Sequence, residues 1–161
     1  LIAGGGHVGR CVALVADSLG WNYSVFDVRK EYSNTEKYPL SNETISMNTN
    51  DFLESEDSES IKRFSDILLL GHDWSVDQEL LLGFLKLRKD ELRPRIGAIG
   101  SKSKWKSFKK AAMDDGVREE WFENARCPIG IDIGAETPEE IGLAVCAEIL
   151  ALERKITHTE N

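Results

Sequence analysis

Cysteine, histidine and proline are scarce in this sequence: 3, 3 and 4 residues respectively among 161. Cys11, Cys127 and Cys146 are odd in number, far apart and never in a Cys-x-x-Cys pair, so neither a disulfide framework nor a zinc site is indicated. Long apolar runs are absent too. No stretch approaches the ~18 residues of a membrane span, and no charged-then-apolar signal segment is present, so a cytoplasmic protein is expected. Positive charge is in deficit: 20 Lys and Arg against 28 Asp and Glu give a net charge of -8. That balance argues against nucleic acid and against an anionic membrane surface as partners. The length fits one domain and leaves no room for a separate catalytic one.

What the sequence does hold is Ile2-Ala3-Gly4-Gly5-Gly6-His7-Val8-Gly9-Arg10. Gly4, Gly6 and Gly9 have the spacing of a dinucleotide-binding turn between a strand and a helix. The first glycine suits the tight turn, the second backbone approach to a phosphate, and the third close packing of helix on sheet. The helix that follows aims its N-terminal amides at an anion. The same glycines also suit a tight turn that binds nothing, but Asp27 lies eighteen residues beyond Gly9 at the end of a second apolar strand, Tyr23 to Phe26. There a ribose-binding acid belongs. Asp27 would repel an adenosine 2'-phosphate, which favours NAD-type over NADP-type ligands, although Arg29 and Lys30 are near. His7, at the helix start, suits either a neutral partner of bound phosphate or a turn residue.

Apolar periodicity supplies the remaining elements. Val8, Cys11, Val12, Val15 and Leu19 form a helical stripe ended by Gly20, with Cys11 read as a core residue. Thr44 to Met47 reads as a third strand, and Asn48 to Ser60 as a polar surface loop leading to a short helix, its carboxylates a solvated face. Asp66 to Leu70 is a buried parallel strand. It runs into Gly71-His72-Asp73-Trp74, which places His72 and Asp73 at the rim of the glycine-turn site. A helix over Val76 to Leu87 should bury Leu80, Leu81, Phe84 and either Leu85 or Leu87. Arg95 to Ile99 is the next strand, ending at Gly100-Ser101. The helix from Lys102 to Met113 buries Trp105, Phe108 and Ala112, and its first-turn Lys102 and Lys104 can meet an anionic ligand. Glu119 to Asn124 suggests a further turn of helix. His72, Asp73 and Asp77, without a thiolate or second histidine, read as strand-end and cap residues, so no metal site is expected.

The last block is Cys127-Pro128-Ile129-Gly130-Ile131-Asp132-Ile133-Gly134-Ala135-Glu136-Thr137-Pro138-Glu139-Glu140. Thr137 as N-cap, Pro138 at the first helical position and Glu140 three residues on form a complete helix-start signature. That signature leaves Gly130, Asp132 and Gly134 unexplained, a small-residue loop carrying one carboxylate, suited to close approach of a ligand or neighbouring chain. A final helix follows with Ile141, Val145, Ile149 and Leu152 inward. The expectation is an α/β fold: a Rossmann-like doubly wound parallel sheet in three layers, one domain over 1–155, with a frayed tail at 156–161. Only three residues precede the turn, so the first strand is expected to be truncated and an upstream segment missing.

Three blocks together resemble the C-terminal Rossmann-like domain of the xanthine dehydrogenase accessory (XdhC/CoxI) family. They are Gly4-Gly5-Gly6-His7-Val8-Gly9-Arg10 with Asp27 and Arg29, Ile96-Gly97-Ala98-Ile99-Gly100-Ser101-Lys102, and Pro128 to Glu140. The fourth-strand motif, commonly Thr-His-Asp-His in that family, here reads Gly71-His72-Asp73-Trp74. The resemblance implies a maturation factor for molybdenum hydroxylases that holds molybdenum cofactor and hands it to the apo-enzyme, with a homodimer compatible. Its phosphate would lie on the turn from Gly4 through Gly5, Gly6, His7 and Val8 to Gly9, and His72, Asp73, Ser101 and Asp132 would line the mouth. Two alternatives stay open from the residues: a regulatory module binding NAD(P), and an NAD(P)-dependent oxidoreductase in which only His72, Asp73 or Asp132 would be available as acid or base.

Overall fold

Side-chain alternation along the strands decides the architecture. In the strand Asp66–Leu69, Ile67 and Leu69 join one buried cluster while Leu68 and the following Leu70 join another, so both faces of the sheet are covered. The computed structural model describes residues 1–155; the expected tail at 156–161, with His158, lies outside them. Six strands are described: β1 (Ile2–Ala3), β2 (Ser24–Phe26), β3 (Glu43–Ile45), β4 (Asp66–Leu69), β5 (Arg95–Ala98) and β6 (Ala125–Arg126). All pair in parallel in the order β3-β2-β1-β4-β5-β6. The order reverses between β1 and β4, the place where open α/β sheets bind ligands.

Among the described residues the five α-helices are α1 (His7–Ser18), α2 (Thr49–Glu54), α3 (Trp74–Arg88), α4 (Lys102–Asp114) and α5 (Pro138–Glu153). Helices α1 and α5 pack together on one face, over Ile2, Val25 and Leu68. Helices α2, α3 and α4 cover the other, over Phe26, Ile67 and Ile96. This is the expected three-layer, doubly wound Rossmann-like sheet. No helix among the described residues is long and apolar enough to cross a membrane.

Several details differ from the sequence reading. The polar stretch Asn48 to Ser60 is not a loop: α2 starts within it, with Asn48 accepting from the Asp51 N–H at 2.8 Å, because Phe52 inserts and stacks on Phe26 at 4.5 Å. Nor are its carboxylates all solvated, since the buried Glu56 side chain pairs with Arg63 at 2.6 Å. The buried side of α1 turns toward Ala13 and Ala16, leaving Leu19 half exposed, because a helix wedged between sheet and α5 accepts only small residues there. Helix α3 buries Leu85 rather than Leu87, and Leu152 at the end of α5 is largely outside the core. Strand β6 had no apolar run to announce it.

Helix α5 begins as expected. The Thr137 hydroxyl accepts from the Glu140 N–H at 3.2 Å, and the Glu140 carboxylate accepts from the Thr137 N–H at 3.1 Å. Thr137→Ala should therefore cost about 1 kcal/mol, seen in a thermal melt as a fall of roughly 2–4 °C; an unchanged melt would mean that the cap contributes nothing.

Candidate functional site

The turn from Gly4 to Gly9 leaves the carboxyl end of β1 at the switch point. Gly4 has φ +118°, a backbone conformation that a side chain would strain. A Cβ at Gly9 would stand 2.0 Å from the Gly4 carbonyl oxygen, so the turn and the first coil of α1 touch backbone to backbone. Gly6 differs: a Cβ there would meet nothing within 4 Å. The open space lies at the N-cap of α1, where helical N–H groups lack intrahelical partners and the dipole is positive. The fit to a phosphate is therefore good on this chain's own geometry.

Asp27 is the strut of this turn. Its Oδ2 accepts from the Gly5 N–H at 2.9 Å and from the Arg29 guanidinium at 3.1 Å, and its Oδ1 from the Arg29 N–H and Nε, each at 3.0 Å. Burial pushes the carboxyl up, but those donors outweigh it and hold it below its ordinary range. Four contacts occupy the acceptor sites of the carboxylate, so a ribose hydroxyl would have to compete with Arg29. Arg29 in turn lies over the Tyr32 ring at 3.8 Å. The Tyr38 hydroxyl donates to the Gly5 carbonyl at 2.7 Å from a fully buried position. Tyr32 and Tyr38 escaped the sequence reading; two aromatics in an otherwise polar stretch were the available signal.

Gly4, Asp27, Arg29, His72 and Asp73 do converge, around a small pocket of about 20 Å³ at the carboxyl ends of β1, β2 and β4 on the α3 side. His72 is exposed, and Asp73 caps α3 by accepting from the Ser75 N–H at 2.9 Å and hydroxyl at 2.7 Å, which keeps its carboxyl below the ordinary range. That cap starts α3 two residues earlier than expected. Gly100 and Asp132 line a different, much wider cleft of about 470 Å³ with Ile129, Ile131 and Ile141, on the α5 side. The two depressions share no lining residue, so the structure does not unite all the candidate residues in one cavity. Ser101 caps α4, accepting from the Lys104 N–H at 3.1 Å, while Lys102 and Gly134 are exposed. Val8 packs against the α1 side of the core, and His7 Nε2 lies 3.2 Å from Glu139 Oε1.

Lys104 corrects the expectation of a cationic rim. It is buried, with Nζ 3.1 Å from Asp77 Oδ2 and 3.1 Å from the Ile99 carbonyl, and it lies over the Trp74 and Phe108 rings. Asp77 Oδ1 accepts from the Gly71 N–H at 3.2 Å. The pair thus clamps the ends of β4 and β5 and is unavailable to an anion. Cys127 is half-buried, and burial pushes its thiol up, away from nucleophilic character. Among the described residues, one group of three metal-ligating side chains gathers: His7, Cys11 and Glu139. It is not the His72, Asp73 and Asp77 trio weighed from the sequence.

A parallel sheet of this order, opened by a glycine turn at the switch point and covered on both faces, defines a Rossmann-type domain. The XdhC Rossmann domain matches residues 1–149, and the chain belongs to that family. It is 30% identical over 153 residues to YqeB of Escherichia coli strain K12, described as an uncharacterized protein, covering 95% of this chain and 27% of that one. Among solved structures it is similar in fold to a Bacillus halodurans protein described as a xanthine dehydrogenase, with TM-score 0.76 and 23% identity, over 99% of this chain and 44% of the other. The chain therefore spans less than half the length of each of these relatives.

Proposed function

We propose that this domain holds molybdenum cofactor for a molybdenum hydroxylase of the xanthine dehydrogenase type and passes it to the apo-enzyme as an accessory factor. The observation that carries the reading is the open N-cap at Gly6, free of any side-chain obstacle at the positive end of α1, in a chain of the XdhC Rossmann family. The cofactor brings the metal chemistry of the recipient enzyme. The chain's own part is to bind and orient: Gly4 to Gly9 take the phosphate, Asp27 holds the turn, and Arg29 adds positive charge beside it. His72 and Asp73 bound the pocket. Gly100 and Asp132 line the separate cleft on the α5 side, which would be left for the recipient, with Ser101, Lys102 and Gly134 at the surface nearby in sequence. No step of this role requires an acid, base or nucleophile from the protein. The full engagement of Asp27 favours a ligand held by phosphate over one held by a ribose diol, and so molybdenum cofactor over NAD(P).

The test is native mass spectrometry of the protein purified without oxygen from a host that makes the cofactor. A co-purifying pterin, transferable to an apo-hydroxylase, is the expected result. An adenine dinucleotide without pterin would overturn the reading and make the domain a nucleotide-responsive regulatory module. Asp27→Ala does not separate those ligands, because it also frees Gly5 and Arg29.

A further inference from the structure

We propose that His7, Cys11 and Glu139 form a binding site for a zinc-class divalent cation at the junction of α1 and α5. The imidazole, thiol and carboxylate each offer one ligand atom, and these atoms all lie within 4.8 Å of one another. The His7 Nε2 to Glu139 Oε1 distance is already 3.2 Å. Tetrahedral zinc with Zn–N near 2.0 Å and Zn–S near 2.3 Å needs ligand atoms about 3.3–3.7 Å apart, so a small rotation of the two exposed side chains closes the set.

Local sequence and packing explain the meeting. His7 and Cys11 stand one helical turn apart, and side chains four residues apart share a face of a helix. Gly142 brings the second helix in: a Cβ there would stand 2.9 Å from Cys11 Cβ, so only glycine allows α5 to lie this close. One turn earlier on α5, Glu139 then reaches the same spot. Cys11 is buried, whereas the His7 and Glu139 side chains are 68% and 67% exposed, which gives the ion an entry path and leaves a fourth position open to solvent.

The donor set selects the class of metal. Thiolate and imidazole disfavour magnesium and calcium, which take oxygen ligands, and suit zinc or its cobalt substitute. The N-terminal dipoles of α1 and α5 oppose a bare cation, but a thiolate and a carboxylate together neutralise a divalent charge. His7 belongs to the Gly4 to Gly9 turn, but it offers its side chain to the ion while the turn offers its backbone amides, so the site does not depend on which ligand the turn takes.

The experiment is titration of the reduced protein with Co²⁺ alone, followed by displacement with Zn²⁺, and read by absorbance. The expected result is one equivalent of cobalt giving a thiolate-to-metal charge-transfer band, lost in Cys11→Ser and retained in Cys127→Ser. The exposed-site variants His7→Gln and Glu139→Gln, whose folding is checked by circular dichroism, should each weaken binding about tenfold or more. A band that survives in Cys11→Ser, or binding indifferent to both His7→Gln and Glu139→Gln, would overturn the proposal, as would the absence of a band in the folded parent.

Discussion

Gly6→Ala is expected to melt like the parent protein yet lose its phosphate-bearing ligand, while Gly9→Ala, three residues away, is expected to be strongly destabilised. At Gly6 the backbone is in an ordinary extended conformation, φ -72°, and an added methyl meets nothing. Its stability cost should stay within about 0.5 kcal/mol. The same methyl would occupy the space over the N-cap of α1, and a loss of about 1.4 kcal/mol of binding is already tenfold. At Gly9 the methyl would sit 2.0 Å from the Gly4 carbonyl oxygen, which belongs to the turn and has nowhere to go. Overpacking of this kind costs about 3 kcal/mol or more, or roughly 6–12 °C in a domain of this size. Thermal melts of the two variants, with ligand retention of Gly6→Ala, check both halves. Undiminished ligand in Gly6→Ala would remove the phosphate from this turn.

Lys104→Met should cost about 3–5 kcal/mol at neutral pH, because it strands Asp77, a fully buried carboxylate. Burial already pushes the Asp77 carboxyl up against the opposing pull of Lys104. A group whose folded pKa lies above its unfolded value favours the native state when protonated, and that contribution is lost as pH rises through the folded pKa. The variant should therefore recover stability on mild acidification, the reverse of a normally paired surface carboxylate. Asp77→Asn with Lys104→Met keeps an acceptor for the Gly71 N–H while removing both charges, so the double variant should regain most of the loss in a denaturant cycle. Additive losses would mean that the two groups do not act as a pair.

How much of this was legible in the sequence depended on distance along the chain. The turn, Asp27 two residues from Arg29, and the Thr137–Glu140 cap are local patterns whose residue types have few other uses, and the structure reproduces them. Lys104 was misread because a lysine in a polar first turn resembles surface, and its partner stands twenty-seven residues earlier. Phe52 alone converts an acidic stretch into a packed helix, and a single aromatic carries no periodicity. Strand β6 is two residues long and ends in Arg126, so edge pairing with β5, not composition, defines it. Glu139 was visible only as part of a helix start. Its meeting with His7 and Cys11 depends on Gly142, more than 120 residues from the other helix.

That last contact also bears on how the chain folds. The first helix and the last lie against each other over one face of the sheet, with Cys11 and Val12 meeting Gly142 almost backbone to backbone. Until α5 is available, Val12, Ala16 and the β1 and β4 residues beneath them have an open flank. The part of this domain that precedes α5 thus leaves that flank unburied. Its exposed apolar side must wait for the final element, a non-local closure that slows folding and leaves intermediates open to association.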